Sequence, residues 1–410
     1  MRQPDKKVHA PIDAFCMEGG VLRIAKKSVN QWAEELGQTP FFLYEKSFLH
    51  KRAAELRHAI PKGVSIHYAM KANPFPPLVN EMAGLCDGID VASAGELSVA
   101  LNAGLKPHRI SFAGPGKTDF ELKQAAHAGC IVIIESENEA YRLSRIAESE
   151  GLFPNVALRI NPDFELKNAG MRMSGGAKPF GVDAEKVPDL LSKFDELHVN
   201  FIGFHIFSGS QNLKTSSIIE AQNATIDLAL SLCQYAPSPV KWLNIGGGFG
   251  VPYFPGDKNL NISHIGENLA EKLEAVHAEL GRIEIILELG RYLVAEAGIY
   301  VTRIIDKKIS RGTTYLITDG GLHHQLAASG NFGQVLRKNY PVSLSGNLTE
   351  KELVTITGCL CTPLDVLADR VLLPRANVGD FVIVYLSGAY GASASPSGFL
   401  GHGPAIEALV

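Results

Sequence analysis

The sequence predicts an α/β protein that combines a (β/α)8 barrel with a C-terminal all-β domain. Eight short apolar runs alternate with longer amphipathic stretches between residues 64 and 288, which is typical of strand–helix units in a parallel sheet. Beyond residue 291 the runs are strand-like and are joined by turns that contain glycine and proline. A doubly wound sheet is the structural alternative, but it rarely needs eight such units.

The predicted elements divide the chain into three parts. The barrel strands are predicted at residues 64–70, 87–92, 108–113, 130–135, 155–161, 199–206, 240–245 and 283–288. Helical patterns between them cover residues 94–103, 119–128, 137–150, 217–235 and 265–280. The predicted parts are an N-terminal segment, 1–40, that packs partly on the β domain, the barrel at 41–291, and the β domain at 292–410. Within the β domain, strands are predicted at 301–305, 315–319, 353–356 and 381–385.

The composition argues against several classes of function. The 410 residues carry a formal net charge of −4 without a basic run, so we expect no nucleic-acid partner. No apolar run approaches the roughly 20 residues of a membrane-spanning helix. Six scattered cysteines lack the paired spacing of a zinc site. The sequence therefore predicts a cytoplasmic protein with no membrane partner and no metal site.

The barrel prediction can be tested against the residues that end each strand. In such barrels the active site lies at the C-terminal ends of the strands, so reactive side chains should collect there. The predicted strands end at Lys71, at Asp90 and Ser93, at Gly114, at Glu135, at Arg159 with Asn161, at His205 with Phe207 and Ser210, at Gly246–Gly247–Gly248, and at Glu288–Leu289–Gly290–Arg291. Each alone carries little weight, but together they predict one site.

Lys71 is the residue around which this site is predicted to form. It follows an apolar strand that Pro74 ends, because proline cannot donate to the strand ladder. Partial desolvation there favours the neutral amine, the form that attacks a carbonyl. A lone lysine at this position is more often a solvated surface residue.

Two further groups suggest what the lysine holds. Gly246–Gly248 allows backbone N–H groups to approach a phosphate, with Ser210 and Arg291 as additional donors, although a simple tight turn is equally compatible with the triplet. Glu288 can pair with a pyridinium nitrogen, whereas the alternative is a structural ion pair with Arg291. A lysine, a phosphate cradle and a carboxylate are the parts that a pyridoxal 5'-phosphate (PLP) site requires.

The motifs resemble those of the fold-type III PLP-dependent decarboxylases, the group of diaminopimelate and ornithine decarboxylases. The matching segments are residues 68–73 (YAMKAN), 89–96 (IDVASAGE), 203–211 (GFHIFSGSQ), 245–249 (IGGGF), 288–291 (ELGR), 361–365 (CTPLD) and 388–393 (GAYGAS). They cover nearly the whole chain in the family's order. The resemblance implies an alanine-racemase-like (TIM) barrel with a C-terminal β domain.

The resemblance also implies roles for single residues. Lys71 would hold PLP as an internal aldimine, and the substrate would react through an external aldimine and a quinonoid. The remaining cofactor-binding residues would be Asp90, Arg159, His205, Phe207, Ser210, Gly246, Gly247, Gly248, Glu288, Gly290, Arg291 and Tyr390. Tyr390, Cys361 and Asp365 would act in the neighbouring subunit's site, with Cys361 as a proton donor, which implies a homodimer with shared active sites. Without the family, Cys361 would be interpreted as a core cysteine.

Four departures from the family pattern bear on the substrate. Phe207 replaces a histidine that stacks on the cofactor, and Leu289 replaces a proline. Thr362 stands where the diaminopimelate enzymes carry glutamate, and residues 319–328 lack their arginine. Losing these charges removes partners for the distal end of meso-diaminopimelate. The chain therefore resembles more closely the carrier-protein-glutamate, siderophore and exosortase/exopolysaccharide-associated decarboxylases.

The sequence thus predicts a PLP-dependent carboxy-lyase that acts on the α-carboxylate of an amino acid, free or tethered to a carrier protein. Diaminopimelate decarboxylation, yielding L-lysine, is the main alternative. A racemase and a catalytically inactive PLP-binding homologue are weaker alternatives, because Lys71 and Cys361 are both present. His323–His324 is interpreted as a core or surface pair rather than as a substrate contact, and adjacent histidines lack the spacing of a helical metal pair.

Overall fold

The computed structural model describes residues 15–18, 21–165, 167–332, 334, 337–345 and 350–410. The chain forms two compact units. One comprises residues 50–250 and 259–293, and the other comprises residues 1–49, 251–258 and 294–410. Much of the predicted N-terminal segment, at residues 1–14 and 19–20, lies outside the described residues.

The first unit contains a closed barrel of eight parallel strands, as the sequence predicts. The strands, β1 to β8 in chain order, are Val64–Ala69, Gly88–Val91, Ile110–Phe112, Ile131–Ile134, Asn155–Asn161, Asn200–His205, Trp242–Gly247 and Glu284–Leu289. Each pairs with the next, and β8 pairs with β1, which closes the barrel. Because all strands are parallel, their C-terminal ends share one rim.

Apolar side chains fill the barrel, and capping residues limit its helices. Ile131, Ile133, Ala157, Trp242 and Ile286 form one buried cluster. The helix Asp119–Ala128 begins with a capping box of Thr118 and Glu121 and ends at a left-handed glycine. The other helices of this unit are Lys46–Ala59 (from residue 50), Pro76–Leu85, Ala94–Asn102, Glu137–Glu150, Val187–Leu191, Thr215–Cys233, Ile262–Leu280 and most of Arg291–Val294.

Two short strand pairings occur in addition to the eight barrel strands. Val182–Asp183 extends the sheet beside β5. Met171–Arg172 pairs antiparallel with Gly209–Ser210. The sequence predicts none of these two-residue strands, because their length is too small to show a period.

The second unit is built on an eight-stranded sheet. Its strands are Phe41–Tyr44, Gly298–Ser310, Thr313–Thr318, Val342–Leu344, Lys351–Thr357, Val366–Pro374, Phe381–Val384 and Ile406–Leu409. Phe41–Tyr44, expected from the sequence at the start of the barrel, pairs here with Gly298–Ser310 and Ile406–Leu409. A strand that is buried at every position suits either sheet, so its apolar sequence cannot choose between them.

A small three-stranded sheet, Cys16–Glu18, Val21–Ile24 and Lys27–Ser28, and the helix Val29–Leu36 complete this unit. Leu22, Ile24 and Trp32 join a buried cluster with Phe41 and Ile299 of the large sheet. Among the described residues, no helix is both long and apolar enough to cross a membrane.

Candidate active site

Lys71 lies at the rim of the barrel, where the sequence places it. It occupies the short turn Met70–Ala72 directly after β1, and its side chain is exposed. Its Nζ is 5.2 Å from the centre of the Phe207 ring, which follows β6. A Cβ at Gly290, just past β8, would lie 3.0 Å from the Ala72 side chain and 3.1 Å from the Ala69 carbonyl oxygen. Glycine there allows the end of β8 to pack against the lysine turn.

Glu288 lies near the end of β8 and is held by the two preceding strands. Its Oε2 accepts hydrogen bonds from His205 Nε2 at 3.1 Å and from Asn244 Nδ2 at 3.4 Å. Burial favours a higher pKa for Glu288, but the His205 hydrogen bond and the positive charge of Lys71 outweigh it and lower the pKa. The partners are therefore His205 and Asn244, and the carboxylate stays charged.

Asn244 is a site residue that the sequence analysis does not single out. Besides contacting Glu288, its Oδ1 accepts the backbone N–H of Gly246 at 2.8 Å. It thus joins the carboxylate to the glycine turn. The available signal was a polar residue inside the otherwise apolar run of β7, since a fully buried polar side chain requires a partner.

Asp90, near the end of β2, belongs to a second group of buried polar side chains. Its Oδ1 accepts hydrogen bonds from His67 Nδ1 at 3.0 Å and from the Ser111 hydroxyl. Burial lowers the pKa of His67, but Asp90 more than compensates, so the pKa is raised above its usual value. Within the described chain Asp90 Oδ2 has no hydrogen-bond partner, which leaves one buried acceptor for another group.

The glycine turn after β7 is shaped by its neighbours. Gly246 and Gly248 have φ angles of 68° and 79°, in the left-handed region that favours glycine. A Cβ at Gly247 would collide with the carbonyl oxygen of Glu288. The Gly248 carbonyl accepts the N–H of Asn212 at 2.9 Å, which fixes the turn against the loop that carries Ser210.

Ser210 and Arg291 lie at this rim, whereas Arg159 forms an ion pair with a neighbouring residue. Ser210 is half-buried in the pairing with Met171, and Arg291 is buried at the start of the helix after β8. Arg159 donates from its Nη1 to Glu135 Oε1 at 3.0 Å. Both members of that ion pair are buried, so each satisfies the charge of the other.

The remaining predicted residues belong to the sheet unit. Cys361 is exposed in the turn before Val366–Pro374. Asp365 is only 2% exposed, and its oxygens accept the backbone N–H groups of Leu322 at 2.7 Å and Leu360 at 2.9 Å. Tyr390 has a φ of 55°, and its ring lies 5.8 Å from that of Phe332. In this chain Asp365 therefore organises loops of its own unit.

The barrel rim has the features that PLP requires. It offers an exposed lysine amine, a charged carboxylate, an aromatic ring beside the lysine, and a glycine turn that tolerates no side chain. Such a set on a (β/α)8 barrel with a separate β sheet defines a class of PLP enzymes.

Comparison with known proteins agrees with this assignment. Residues 46–295 match the family described as "Pyridoxal-dependent decarboxylase, pyridoxal binding domain". The chain is 39% identical over 380 residues to L-glutamyl-[BtrI acyl-carrier protein] decarboxylase of Niallia circulans, covering 91% of this chain and 89% of the relative. It is 30% identical to 2-[(L-alanin-3-ylcarbamoyl)methyl]-2-hydroxybutanedioate decarboxylase of Staphylococcus aureus, covering 93% and 96%.

Solved structures show the same likeness. The diaminopimelate decarboxylase from M. jannaschii superposes with a TM-score of 0.88 at 26% identity, covering 97% of this chain and 92% of that one. The chain belongs to the pyridoxal-dependent decarboxylases of fold type III. It is accordingly a PLP-dependent enzyme that decarboxylates an amino-acid substrate.

Proposed function

We propose that this enzyme removes the α-carboxylate of an amino acid whose distal end carries no charge, with a glutamyl group on an acyl carrier protein as the leading substrate. The observation that carries this proposal is the chemistry of two loops. Residues 320–328 contain no arginine or lysine, and Thr362 is neutral. The Thr362 hydroxyl accepts the N–H of Leu364 at 3.3 Å within its own turn.

This chemistry matches a tethered acid better than a free diamino diacid. The distal ammonium and carboxylate of meso-diaminopimelate need charged partners once they leave water. The α-carboxylate of a carrier-bound glutamyl group must remain free to leave, so its attachment is through the distal carboxyl, which is thereby neutral. A relative with 39% identity acts on such a carrier-linked glutamyl group according to its name.

Bound PLP supplies an electron sink for the electrons released when the α-carboxylate departs. We propose that the Lys71 amine binds the cofactor covalently and that Glu288, aligned by His205 and Asn244, keeps a proton on its ring nitrogen. Phe207 packs on the ring face, while Ser210, Arg291 and the glycine turn bind phosphate. Because the Gly246 N–H is taken by Asn244, backbone donation falls to Gly247 and Gly248. Asp90, which keeps one acceptor oxygen without a partner within the described residues, and Arg159, which is paired with Glu135, position the surrounding rim.

Carbon dioxide release is expected to be at least about 100-fold faster, in kcat/KM, from the carrier-linked glutamyl group than from free L-glutamate. A second substrate carries the same glutamyl group as a thioester of a short thiol. Comparing the two thioesters separates recognition of the neutral distal end from recognition of the carrier protein. The Lys71→Ala variant gives the background of carbon dioxide release that does not depend on the lysine. Faster release from meso-diaminopimelate than from either thioester would overturn the proposal in favour of a lysine-producing enzyme.

We also propose a homodimer in which each subunit supplies Cys361 and Tyr390 to its partner's site. The support is the exposed position of Cys361 and the family resemblance of its segment. Mixing Lys71→Ala and Cys361→Ala subunits, each nearly inactive, is expected to restore about a quarter of wild-type activity, because half of the dimers then hold one intact site.

A mixture of Lys71→Ala with Lys71→Gln subunits is the matched control and should stay inactive. Sites formed within one chain are indicated instead if heterodimers form, as shown by a size tag on one variant, and activity does not return. The cytoplasmic location predicted from the sequence stays a prediction.

A further inference from the structure

Three side chains with metal-binding atoms meet in the sheet unit, apart from the residues assigned above. His323 follows the strand Thr313–Thr318, Cys359 follows Lys351–Thr357, and His402 follows the turn Phe399–Gly401. One ring nitrogen of each histidine and the Cys359 Sγ all lie within 4.8 Å of one another. Cys359 Sγ is 3.8 Å from His402 Nε2 and 3.9 Å from its Nδ1.

The loops that carry these three residues are fixed by other contacts. Asp365 accepts backbone N–H groups from both loops, through Leu322 and Leu360. A Cβ at Gly358 would collide with the Gly321 backbone and the Asp365 carboxylate, so glycine at 358 permits the close approach. The third segment is tied in by His324, whose Nε2 donates to the Gly403 carbonyl at 2.9 Å. The cluster is therefore set before any ligand arrives.

His323 supplies an independent observation. Its side chain is 0% exposed, and within the described residues neither of its ring nitrogens has a hydrogen-bond partner. Burying an imidazole in this state costs free energy, because both polar atoms lose water without replacement. A metal ion bound at one nitrogen would remove half of that deficit.

We propose that His323, Cys359 and His402 bind one divalent ion of the zinc class, with the fourth coordination position open. Zinc bonds of about 2.0–2.3 Å place tetrahedral ligand atoms about 3.3–3.6 Å apart, so small side-chain movements complete the geometry. One thiolate and two imidazoles select zinc-like ions over calcium or magnesium, which prefer oxygen ligands. Binding releases the Cys359 thiol proton to solvent as the Zn–S bond forms.

The sequence could not have indicated this site. His323 and Cys359 lie 36 residues apart, and Cys359 and His402 lie 43 apart, without the short paired spacing by which zinc sites are recognised. The expectation of no metal site rested on that spacing. The fold, not the sequence order, brings the three side chains together.

The test is metal binding by the PLP-loaded enzyme. Zinc binding is measured by competition with a chromogenic chelator, and cobalt binding is measured by the visible absorption of the bound cobalt. One ion per chain is expected, with the cobalt spectrum of a thiolate-bound tetrahedral site at wavelengths longer than the cofactor's. Cys359→Ser and His402→Ala should each weaken zinc affinity at least about 100-fold. Cys361→Ser and Cys233→Ser should bind as wild type does.

Two results overturn the proposal. One is the absence of a zinc ion at one equivalent per chain. The other is binding that survives in Cys359→Ser and His402→Ala or disappears in Cys361→Ser, which would place the metal elsewhere. The visible cofactor spectrum and circular dichroism of each variant show that it is folded, so that lost binding reports a lost ligand. A lower zinc affinity in both ligand variants with an unchanged fold supports the site.

Discussion

Replacing Lys71 with alanine is expected to reduce kcat for carbon dioxide release by at least about 10⁴-fold. The loss is this large because this amine is proposed to hold the cofactor covalently in the position where the substrate amine replaces it. Lys71 is exposed at the rim, beside Phe207 and close enough to Glu288 to affect its pKa. The measurement is single-turnover release from the carrier-linked glutamyl substrate, together with the visible absorption of the lysine-bound cofactor.

Lys106→Ala is the matched control, since Lys106 is an exposed lysine of the same unit that precedes β3, at the end of the barrel opposite the rim. This variant should keep both the absorption band and the activity. Full retention of the band in Lys71→Ala would show that another amine holds the cofactor. Such a result would remove the basis of the proposed site while leaving the family assignment untouched.

The barrel could be predicted because its signals are local. Each strand is a short apolar run, and several of the following helices begin at a capping side chain, such as Thr118, or end at a left-handed glycine, such as Gly129. Predicted limits of 64–70 and 199–206 correspond to Val64–Ala69 and Asn200–His205. The rule that strand ends share one rim then brings Lys71 and Glu288 together without any knowledge of distances.

The remaining features depend on contacts that no local pattern records. Phe41–Tyr44 is buried throughout, so its partners could be either sheet. The sequence does not predict the strands Val366–Pro374 and Ile406–Leu409. A register shift interrupts the alternation of buried and exposed residues in the first, and every residue of the second is half-buried. The role of Asp365 in the partner's site stays a prediction, and no local pattern indicates that its carboxylate accepts two backbone N–H groups of its own chain.

The sheet unit also explains why neighbouring residues can differ in role. Cys359 and Cys361 are two residues apart, yet Cys359 is half-buried and faces His402, whereas Cys361 is exposed. Asp365 holds the turn between them by accepting the Leu360 N–H. One buried carboxylate thus sets the position of both the proposed metal ligand and the proposed proton donor, so Asp365→Asn is a change whose effects would not be confined to one of them.

Replacing Glu288 with glutamine is expected to reduce kcat by about 10²- to 10³-fold while PLP stays bound. Glutamine keeps the shape and can still contact His205 and Asn244, but it carries no charge to hold a proton on the cofactor ring nitrogen. The proposed phosphate contacts lie elsewhere on the rim, so the affinity for PLP should change much less than kcat. Glu284→Gln, at the exposed start of the same strand, is the matched control and should retain wild-type turnover.

The same substitution has a signature in the cofactor-free protein. The pKa of Glu288 is lowered in the folded state, so its ionised form stabilises the fold above the unfolded-state pKa of about 4.3. That stabilisation is lost as the pH falls through the folded-state pKa. The thermal midpoint of wild type should therefore decrease more steeply below about pH 4.3 than that of Glu288→Gln. Parallel curves for the two proteins, with kcat unaffected, would show that Glu288 carries neither the charge nor the role assigned to it.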